Sequence, residues 1–315
     1  MATAFNQVIV AYTAGSPTQE GVLWTNLTRA EIADALAEEG FPVSVTVVDR
    51  LLDLHEMGQR KAEKTTPLGT APDRDAQFRY IARLRQKFLD AGDPVLSLDT
   101  KKREILGDFA RPGKIWTNRA LAALDHDFPN RATGVLIPQG LYDVGRNEGY
   151  LELGTSHDTS DFVGDCLWGW WCEYGHLLYP HSIRLLLLCD SGGSQSCRRW
   201  RFKEVVQEIA DSTGLDIRVA HYPTYCSKFN PIEHRMFPYV TRAWRGVLLN
   251  SPEMALRLLD RATTQTGFQV HGYIRRTDYP HGVKASDEFR SNLPIRFDEF
   301  LPKWNYMALP HNSHN

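Results

Sequence analysis

Between Leu27 and Gly40 the apolar positions Ile32, Ala35 and Leu36 fall on one face of a 3.6-residue period, which predicts an amphipathic helix. Thr28 stands as its N-cap with Glu31 three residues on as the capping-box partner, and Gly40 supplies the stop. After Phe41-Pro42-Val43, Ser44 heads a second helix through Val47, Val48, Leu51 and Leu52 to about Met57, ahead of Gly58. Two helices across so short a turn predict a helix-turn-helix unit, and a plain helical hairpin has the same pattern. Residues 59–75 turn polar and read as a linker. Phe78, Ile81, Leu84 and Phe88 then mark a helix over 75–91.

From Pro94 the pattern changes to strands alternating with helices. Val95–Asp99 is a short apolar strand closed by a carboxylate, and Glu104–Phe109 reads as its hairpin partner. Residues 110–148 are rich in Pro, Gly and Asn and show no period. Then follow a strand Tyr150–Gly154, a helix from Thr159 to about Tyr174, and an almost wholly apolar strand Ile183–Cys189. A helix Cys197–Thr213 stopped by Gly214, a strand Asp216–His221, and a helix from Pro231 to about Trp244 capped by Asn230 complete the series. The order β-β-β-α-β-α-β-α predicts an α/β fold with a mixed five-stranded sheet flanked by helices. The expected organisation is a helix-turn-helix region over 1–65, a linker and helix over 66–92, the α/β domain over 93–250 with a loop-rich insertion at about 110–148, and a helical and irregular extension over 251–315.

Composition narrows the picture. The 315 residues are 42% hydrophobic and 23% charged, which suits folded domains with a core and excludes disordered and collagen-like classes. Lys plus Arg number 36 against 38 Asp plus Glu, a net charge of -2, so bulk charge argues mildly against nucleic acid. Residues 26–64 are more acidic still, with five basic and eight acidic side chains, poor material for phosphate attraction. Cys166, Cys172, Cys189, Cys197 and Cys226 form no C-x-x-C pair and fit a reducing compartment. No apolar run approaches a membrane span or a secretion signal, so a soluble, cytoplasmic protein is expected.

Candidate chemistry lies in carboxylates. Asp99 ends the first strand, and Asp190 ends the strand that holds four consecutive leucines, just before Ser191-Gly192-Gly193-Ser194. A charge at the end of so apolar a strand is costly unless it opens onto a polar site. Strand ends of an open sheet form the usual ligand crevice, where two such aspartates would lie side by side and repel. Glu233 in Ser227-Lys228-Phe229-Asn230-Pro231-Ile232-Glu233-His234-Arg235 is a third candidate, though its position also suits a capping box. Strand-end aspartates likewise often begin turns.

These three segments, with Ser97-Leu98-Asp99-Thr100-Lys101-Lys102 and Leu188-Cys189-Asp190-Ser191-Gly192-Gly193-Ser194 as the first two, resemble the acidic motifs of DDE transposases with an RNase H-like fold. Tyr142-Asp143-Val144-Gly145-Arg146-Asn147-Glu148-Gly149 and Gly154-Thr155-Ser156-His157-Asp158-Thr159 look more closely like the Rhodopirellula-type insertion-sequence transposases, a resemblance covering about residues 24–310. It implies Asp99, Asp190 and Glu233 as the catalytic triad, holding two Mg²⁺ or Mn²⁺ ions, with Asp99 bridging both. It also implies transposon-end and target DNA as partners, cleavage followed by strand transfer, and a homo-oligomer assembled on DNA near the bacterial nucleoid. Chains of this type carry more helical sequence before the region matching Trp24, so a shortened end-recognition module is expected.

Other residues join the candidate list as possible DNA contacts or supports of the site: Lys101, His157, Asp158, Arg198, Arg199, Lys228, His234 and Arg235. Asp158 also suits a helix cap. Arg198, Arg199, Arg201 and Lys203 alternate with Trp200 and Phe202 in a basic-aromatic patch suited to phosphates and bases, or to an amphipathic helix with Trp200 inward. Trp168, Trp170 and Trp171 read as core, His221 as a group beside the site, and Cys189 as a small hydrophobe. His126 with Asp127, and His176 with His181, lack zinc-ligand spacing. Two other function classes stay open at this point: a structure-selective nuclease of the same fold that cuts without joining, and an inactive remnant that binds DNA.

Overall fold

The computed structural model describes residues 2–11, 14–15, 23–25, 27–59, 73–124, 128–265 and 267–311. Residues 60–72, which hold most of the expected linker, and the pair His126 and Asp127 lie outside the described residues. Two compact units divide the chain, residues 1–66 and 67–315.

In the first unit α1 (Ala2–Ala11), α2 (Arg29–Glu38) and α3 (Val45–Leu54) bury Phe5, Val8, Ile9, Ile32, Leu36, Val48 and Leu51 against one another. Strands β1 (Ala14–Gly15) and β2 (Leu23–Trp24) pair antiparallel. The capping box of α2 is formed as expected: Glu31 N–H donates to Thr28 Oγ1 at 3.3 Å and Thr28 N–H to Glu31 Oε2 at 2.6 Å. Ser44 occupies the N-cap position of α3 without a side-chain cap bond, and the helix ends at Leu54, earlier than expected, where Glu56 turns left-handed at φ 54°. Helix α1 was not foreseen, because its few apolar positions read as an isolated run.

The second unit opens with α4 (Arg74–Asp90) and is built on a sheet that has nine strands among the described residues, where five were expected. They are β3 (Val95–Thr100), β4 (Glu104–Leu106), β5 (Gly134–Asp143), β6 (Glu148–Gly154), β7 (Arg184–Cys189), β8 (Asp216–His221), β9 (Gln269–Arg275), β10 (Arg296–Phe297) and β11 (Asn305–Ala308). Their order is β10-β11-β8-β7-β3-β5-β6-β9, with β4 on β5. β7 runs parallel to β3 and β8, whereas β5 is antiparallel to β3 and β6. The remaining helices are α5 (Ser160–Trp170), α6 (His176–Leu178), α7 (Trp200–Thr213), α8 (Pro231–Arg235), α9 (Phe237–Trp244), α10 (Pro252–Leu258) and α11 (Asp287–Asn292).

Alternation along the strands sorts the helices into two layers. Leu185, Leu187 and Tyr150 pack with Phe162, Leu167, Phe202 and Val206 of α5 and α7. Leu186 and Leu188 meet Ile81 and Phe88 of α4, while Leu151 and Leu153 meet Ile232, Phe237, Val240 and Trp244 of α8 and α9.

Four departures from expectation have physical causes. The segment Glu104–Phe109 does not pair with β3; only Glu104–Leu106 is strand, and it joins β5. The antiparallel partner of β3 is β5, drawn from the stretch without period, where Pro138 and Gly140 interrupt the apolar signal. The expected helix 231–244 is two helices, broken at Met236 (φ −126°, ψ −56°) ahead of Pro238, which has no N–H to donate. Residues 251–315 supply β9, β10 and β11, whose short or half-exposed strands lack an apolar run. In addition, the helix after Thr159 continues beyond α5 through a π-helical turn, Trp171–Gly175, and Trp168 is 41% exposed, although Trp170 is buried.

The Tyr142–Gly149 motif proves to be a turn. Buried Asp143 accepts the N–H groups of Gly145 and Arg146 at 3.0 Å and the Tyr179 hydroxyl at 2.7 Å, tying β5 to β6. Among the described residues no helix is long and apolar enough to cross a membrane.

Gly140 faces Asp99 in the β3–β5 register. A Cβ there would stand 2.6 Å from Ile232 Cδ1 and 2.8 Å from Phe237 Cε1, so its absence lets α8 and α9 close onto the sheet. Gly140→Ala is expected to destabilise the protein by roughly 1–3 kcal/mol through overpacking. Urea unfolding measures it, and an unchanged midpoint would mean that the contact relaxes freely.

Candidate functional site

The parallel register of β3 and β7 pairs Leu98 with Cys189, so Asp99 and Asp190, one step further on, stand at neighbouring strand ends. β8 pairs His221 with Cys189 and ends at the same edge. Asp99 is only 8% exposed, and its Oδ1 accepts the Thr100 N–H at 2.8 Å. Asp190 Oδ1 accepts the Gly192 N–H at 3.3 Å, the turn that the two glycines allow.

Glu233 is brought to this edge by a buried polar clamp. Asn230 precedes α8 in the cap position, yet it makes no side-chain cap bond of its own. Its Nδ2 donates to the Leu98 carbonyl at 2.9 Å, while Ser97 Oγ donates to its Oδ1 at 2.5 Å. Ser97 Oγ in turn accepts the Ile232 N–H at 3.0 Å, so a β3 side chain caps α8. Ser97 and Asn230 are fully buried, and the clamp fixes the helix start two residues from the Asp99 position. Gln195, 1% exposed, completes the floor: its Nε2 donates to the Leu98 carbonyl at 3.1 Å and lies 3.4 Å from Asp99 Oδ1.

The electrostatics follow from that convergence. Burial pushes the Asp99 carboxyl well above the ordinary carboxylate range, and the charges of Asp190 and Glu233, with a hydrogen bond to Glu233, push it further. Asp190 is also raised, chiefly by burial, with bonds from Gly192 and Gln195 opposing and the charges of Glu233 and Asp158 adding to the rise. Among the described residues no group of three or more His, Cys, Asp and Glu side chains is arranged to hold a metal ion as it stands. The carboxylates nevertheless feel one another, and a shared proton is what like charges so placed require.

The other expected residues divide. Asp158 is not the cap of α5; Thr159 is, accepting the Phe162 N–H at 3.2 Å, and Asp158 instead lies 3.4 Å from Thr100 Oγ1 and close enough to Asp190 to raise it. His157 Nδ1 sits 3.0 Å from the Tyr279 carbonyl, with its ring against His281. Lys101 is taken up by Glu104 at 2.7 Å and by the Trp244 ring. The basic-aromatic patch is broken up by folding: Lys203 is 4% exposed and bonds the Cys197 carbonyl, and Phe202 is buried. Arg201 is held by Asp161, Glu204 and Glu208. Arg198 and Arg199 stay exposed, with Arg199 Nε donating to the Gly193 carbonyl at 2.8 Å in the loop after Asp190. Lys228, His234 and Arg235 flank Glu233 and are exposed. His221 is fully buried, donates from Nδ1 to the Asp190 carbonyl at 2.8 Å, and is pushed down to about 4 by desolvation, hence neutral. Ser97 and Gln195 went unnoticed as site residues, since neither periodicity nor charge marks a buried serine or glutamine; only their place beside the two aspartates does.

With this geometry in view, residues 4–310 match the family model described as Rhodopirellula transposase DDE domain. No curated protein matches the sequence. Among solved structures, a Mos1 transposase paired-end complex with the left transposon end matches at TM-score 0.46 and 16% identity, covering 78% of this chain and 73% of that one. The Mos1 strand transfer complex matches at TM-score 0.43 and 17% identity over 78% and 72%. The mariner Mos1 paired-end complex with Mg matches at 0.43 and 16% over 78% and 73%.

A carboxyl whose folded pKa lies above its unfolded value near 4 binds a proton on folding. Its contribution to stability is full below that value and is lost as pH rises toward the folded pKa. In EDTA, the melting temperature of Asp99→Asn minus that of the parent is therefore expected to grow from pH 5 to pH 8. A constant difference over that range would refute a raised Asp99.

Proposed function

The chain belongs to the Rhodopirellula transposase DDE-domain family, and from that premise we propose that it is a DNA transposase in which Asp99, Asp190 and Glu233 hold two Mg²⁺ or Mn²⁺ ions. The observation that carries the assignment of these residues is their convergence from two parallel strand ends and one helix start, with Asp99 raised by both of the others.

The residues fit such ions. Three carboxylates offer only oxygen donors, the choice of hard divalent cations, and their repulsion is what a cation relieves. Gln195 Oε1, buried and without a hydrogen-bond partner among the described residues, belongs to the side chain that already bonds at Asp99. Bound ions would polarise the scissile phosphodiester, favour an attacking hydroxyl and offset charge on the leaving 3′ oxygen.

The chain's own residues do the positioning. Ser97 and Asn230 hold Glu233 against β3, and Gln195 orients the Asp99 carboxyl. Arg198, Arg199, Lys228 and Arg235 are exposed cations near the strand ends and are assigned to DNA phosphates. Cys189 adjoins Asp190 but is fully buried with its thiol pushed up by burial, so it is no nucleophile. On this proposal cleavage and joining proceed by direct attack of water or a DNA 3′ hydroxyl, without a covalent enzyme link. An RNase H-like reading of the α/β unit, DNA-end binding by α2 and α3, and a homo-oligomer that holds two ends are parts of the same proposal.

Duplex DNA from the flanks of the gene, incubated with Mg²⁺ or Mn²⁺, is expected to be nicked and, with a target duplex present, joined to it. Asp190→Ala is expected to reduce both products to background while its stability in EDTA is kept. Undiminished nicking by that variant would overturn the assignment, and nicking without joined products would reduce the proposal to a nuclease.

A further inference from the structure

The loop of residues 222–230 runs from the anchor beside Asp190 to the anchor beside Asp99 and Glu233. At its first end Tyr222 N–H donates to the Cys189 carbonyl at 2.8 Å, and the Tyr222 carbonyl accepts Ser191 Oγ, beside Asp190. At its last end Asn230 is fixed to Ser97 and Leu98, beside Asp99 and ahead of Glu233. Tyr222, Cys226 and Asn230 are buried, so both ends and the middle of the loop are held down. Between these pins it turns outward.

Tyr225 is 69% exposed and sits at φ 63°, in the left-handed region that bulky L residues rarely adopt. A ring so exposed gains little from burial to offset that conformation, and backbone strain of this kind gathers at functional sites. Phe229 is 44% exposed, braced edge-on against Phe78 at 4.9 Å, and exposed Lys228 holds its Nζ 5.1 Å from the Phe229 ring. Two presented rings and a cation on one short loop are the elements of a nucleotide-stacking surface. The location supplies the reason for one. The loop runs between the anchors of Asp190 on one side and of Asp99 and Glu233 on the other, so a strand whose phosphodiester lies at the carboxylates passes beside its rings.

We propose that Tyr225, with Lys228 and Phe229, forms a subsite for an unpaired nucleotide of the DNA strand that carries the scissile phosphodiester. The Tyr225 ring stacks on the base, and Lys228 neutralises the adjoining phosphate. The subsite rests on the transposase reading for its substrate, but it is tested by binding alone.

The probe is a duplex oligonucleotide ending in a single-stranded 3′ dA tail that contains 2-aminopurine, titrated in EDTA against the blunt duplex. The parent protein and Tyr225→Phe are expected to bind the tailed DNA more tightly than the blunt one and to quench the 2-aminopurine. Tyr225→Gly is expected to lose about tenfold or more in affinity for the tail, together with the quenching. Its melting temperature should hold or rise, because glycine takes φ 63° without strain. That combination separates a binding ring from a structural one. Lys228→Gln should lower the slope of log affinity against log salt by about one. Tail binding and quenching by Tyr225→Gly equal to the parent's, or no preference of the parent for the tail, would overturn the subsite. Asp190→Ala keeps the quenching if the subsite is real, so a nicking-competent Asp190→Ala sinks the transposase assignment, whereas a normal Tyr225→Gly sinks only the subsite.

Discussion

Asp99 and Asp190 stand at adjacent ends of parallel strands, with Glu233 folded against them, and like charges in so poorly screened a setting drive one another apart. Much of the second unit reads as resistance to that push. The β3–β7 ladder sets the separation of the two aspartates. Ser97, Asn230 and the Ile232 N–H form a buried network in which each polar group is matched, and such networks specify one arrangement because any half-made alternative leaves a buried group unpaired. Gly140 removes the side chain that would hold α8 and α9 off the sheet. The carboxylate edge is therefore rigid where it must be, on strands and a capped helix start, whereas loops make up its rim.

The distribution of cations follows the same division. A net charge of -2 argued mildly against DNA, and half of the basic-aromatic cluster is committed inside the fold: Arg201 to three carboxylates, and buried Lys203 to the Cys197 carbonyl. On the proposed reading, the cations left to meet phosphates are exposed ones around the strand ends, among them Lys102, Arg103, Arg198, Arg199, Lys228 and Arg235. A few local cations at a crevice suit a protein that positions one phosphodiester more than one that coats a duplex, since non-specific affinity scales with the number of phosphates neutralised.

The legible parts of the fold were those with an uninterrupted period. The helix after Thr28 was read with its capping box, and β7 and β8 to within a residue, because four leucines and an Asp216–His221 run leave little else to propose. β5 was hidden because Pro138 and Gly140 break its pattern; the Pro138 carbonyl still takes the Lys101 N–H just past the end of β3, and the bond its nitrogen cannot return falls where β3 has ended. β9 and β10 were hidden because a strand at a sheet edge need not be apolar, and β11, an inner strand, because four residues are too few to show a period. At the site, the carboxylates were legible as ionised groups ending apolar runs, but the residues that aim them were not. Ser97 and Gln195 act through buried hydrogen bonds across about a hundred positions or more of chain, a relation that no local pattern encodes. Asp158 was read as a cap, and the structure gave that place to Thr159, because a hydroxyl one residue later is better set to accept the Phe162 N–H.

A site that raises Asp99 works against the stability of its own fold, and on the proposed reading a bound cation would restore what the empty site costs. With no cation the proton that Asp99 keeps is the cheapest way to quiet the repulsion. On that reading, a bound cation would require the carboxyl to ionise, so cation uptake and proton release would be one event and affinity would rise with pH. The buried, neutral His221 behind Asp190 adds no charge to this exchange, since desolvation holds it unprotonated and its Nδ1–H is committed to the Asp190 carbonyl. It steadies the backbone from which Asp190 projects while leaving the titration to the carboxylates. On the proposed reading, the same repulsion that an unfilled site must endure is what makes it select a pair of hard cations, because only positive charge placed between the carboxylates removes it.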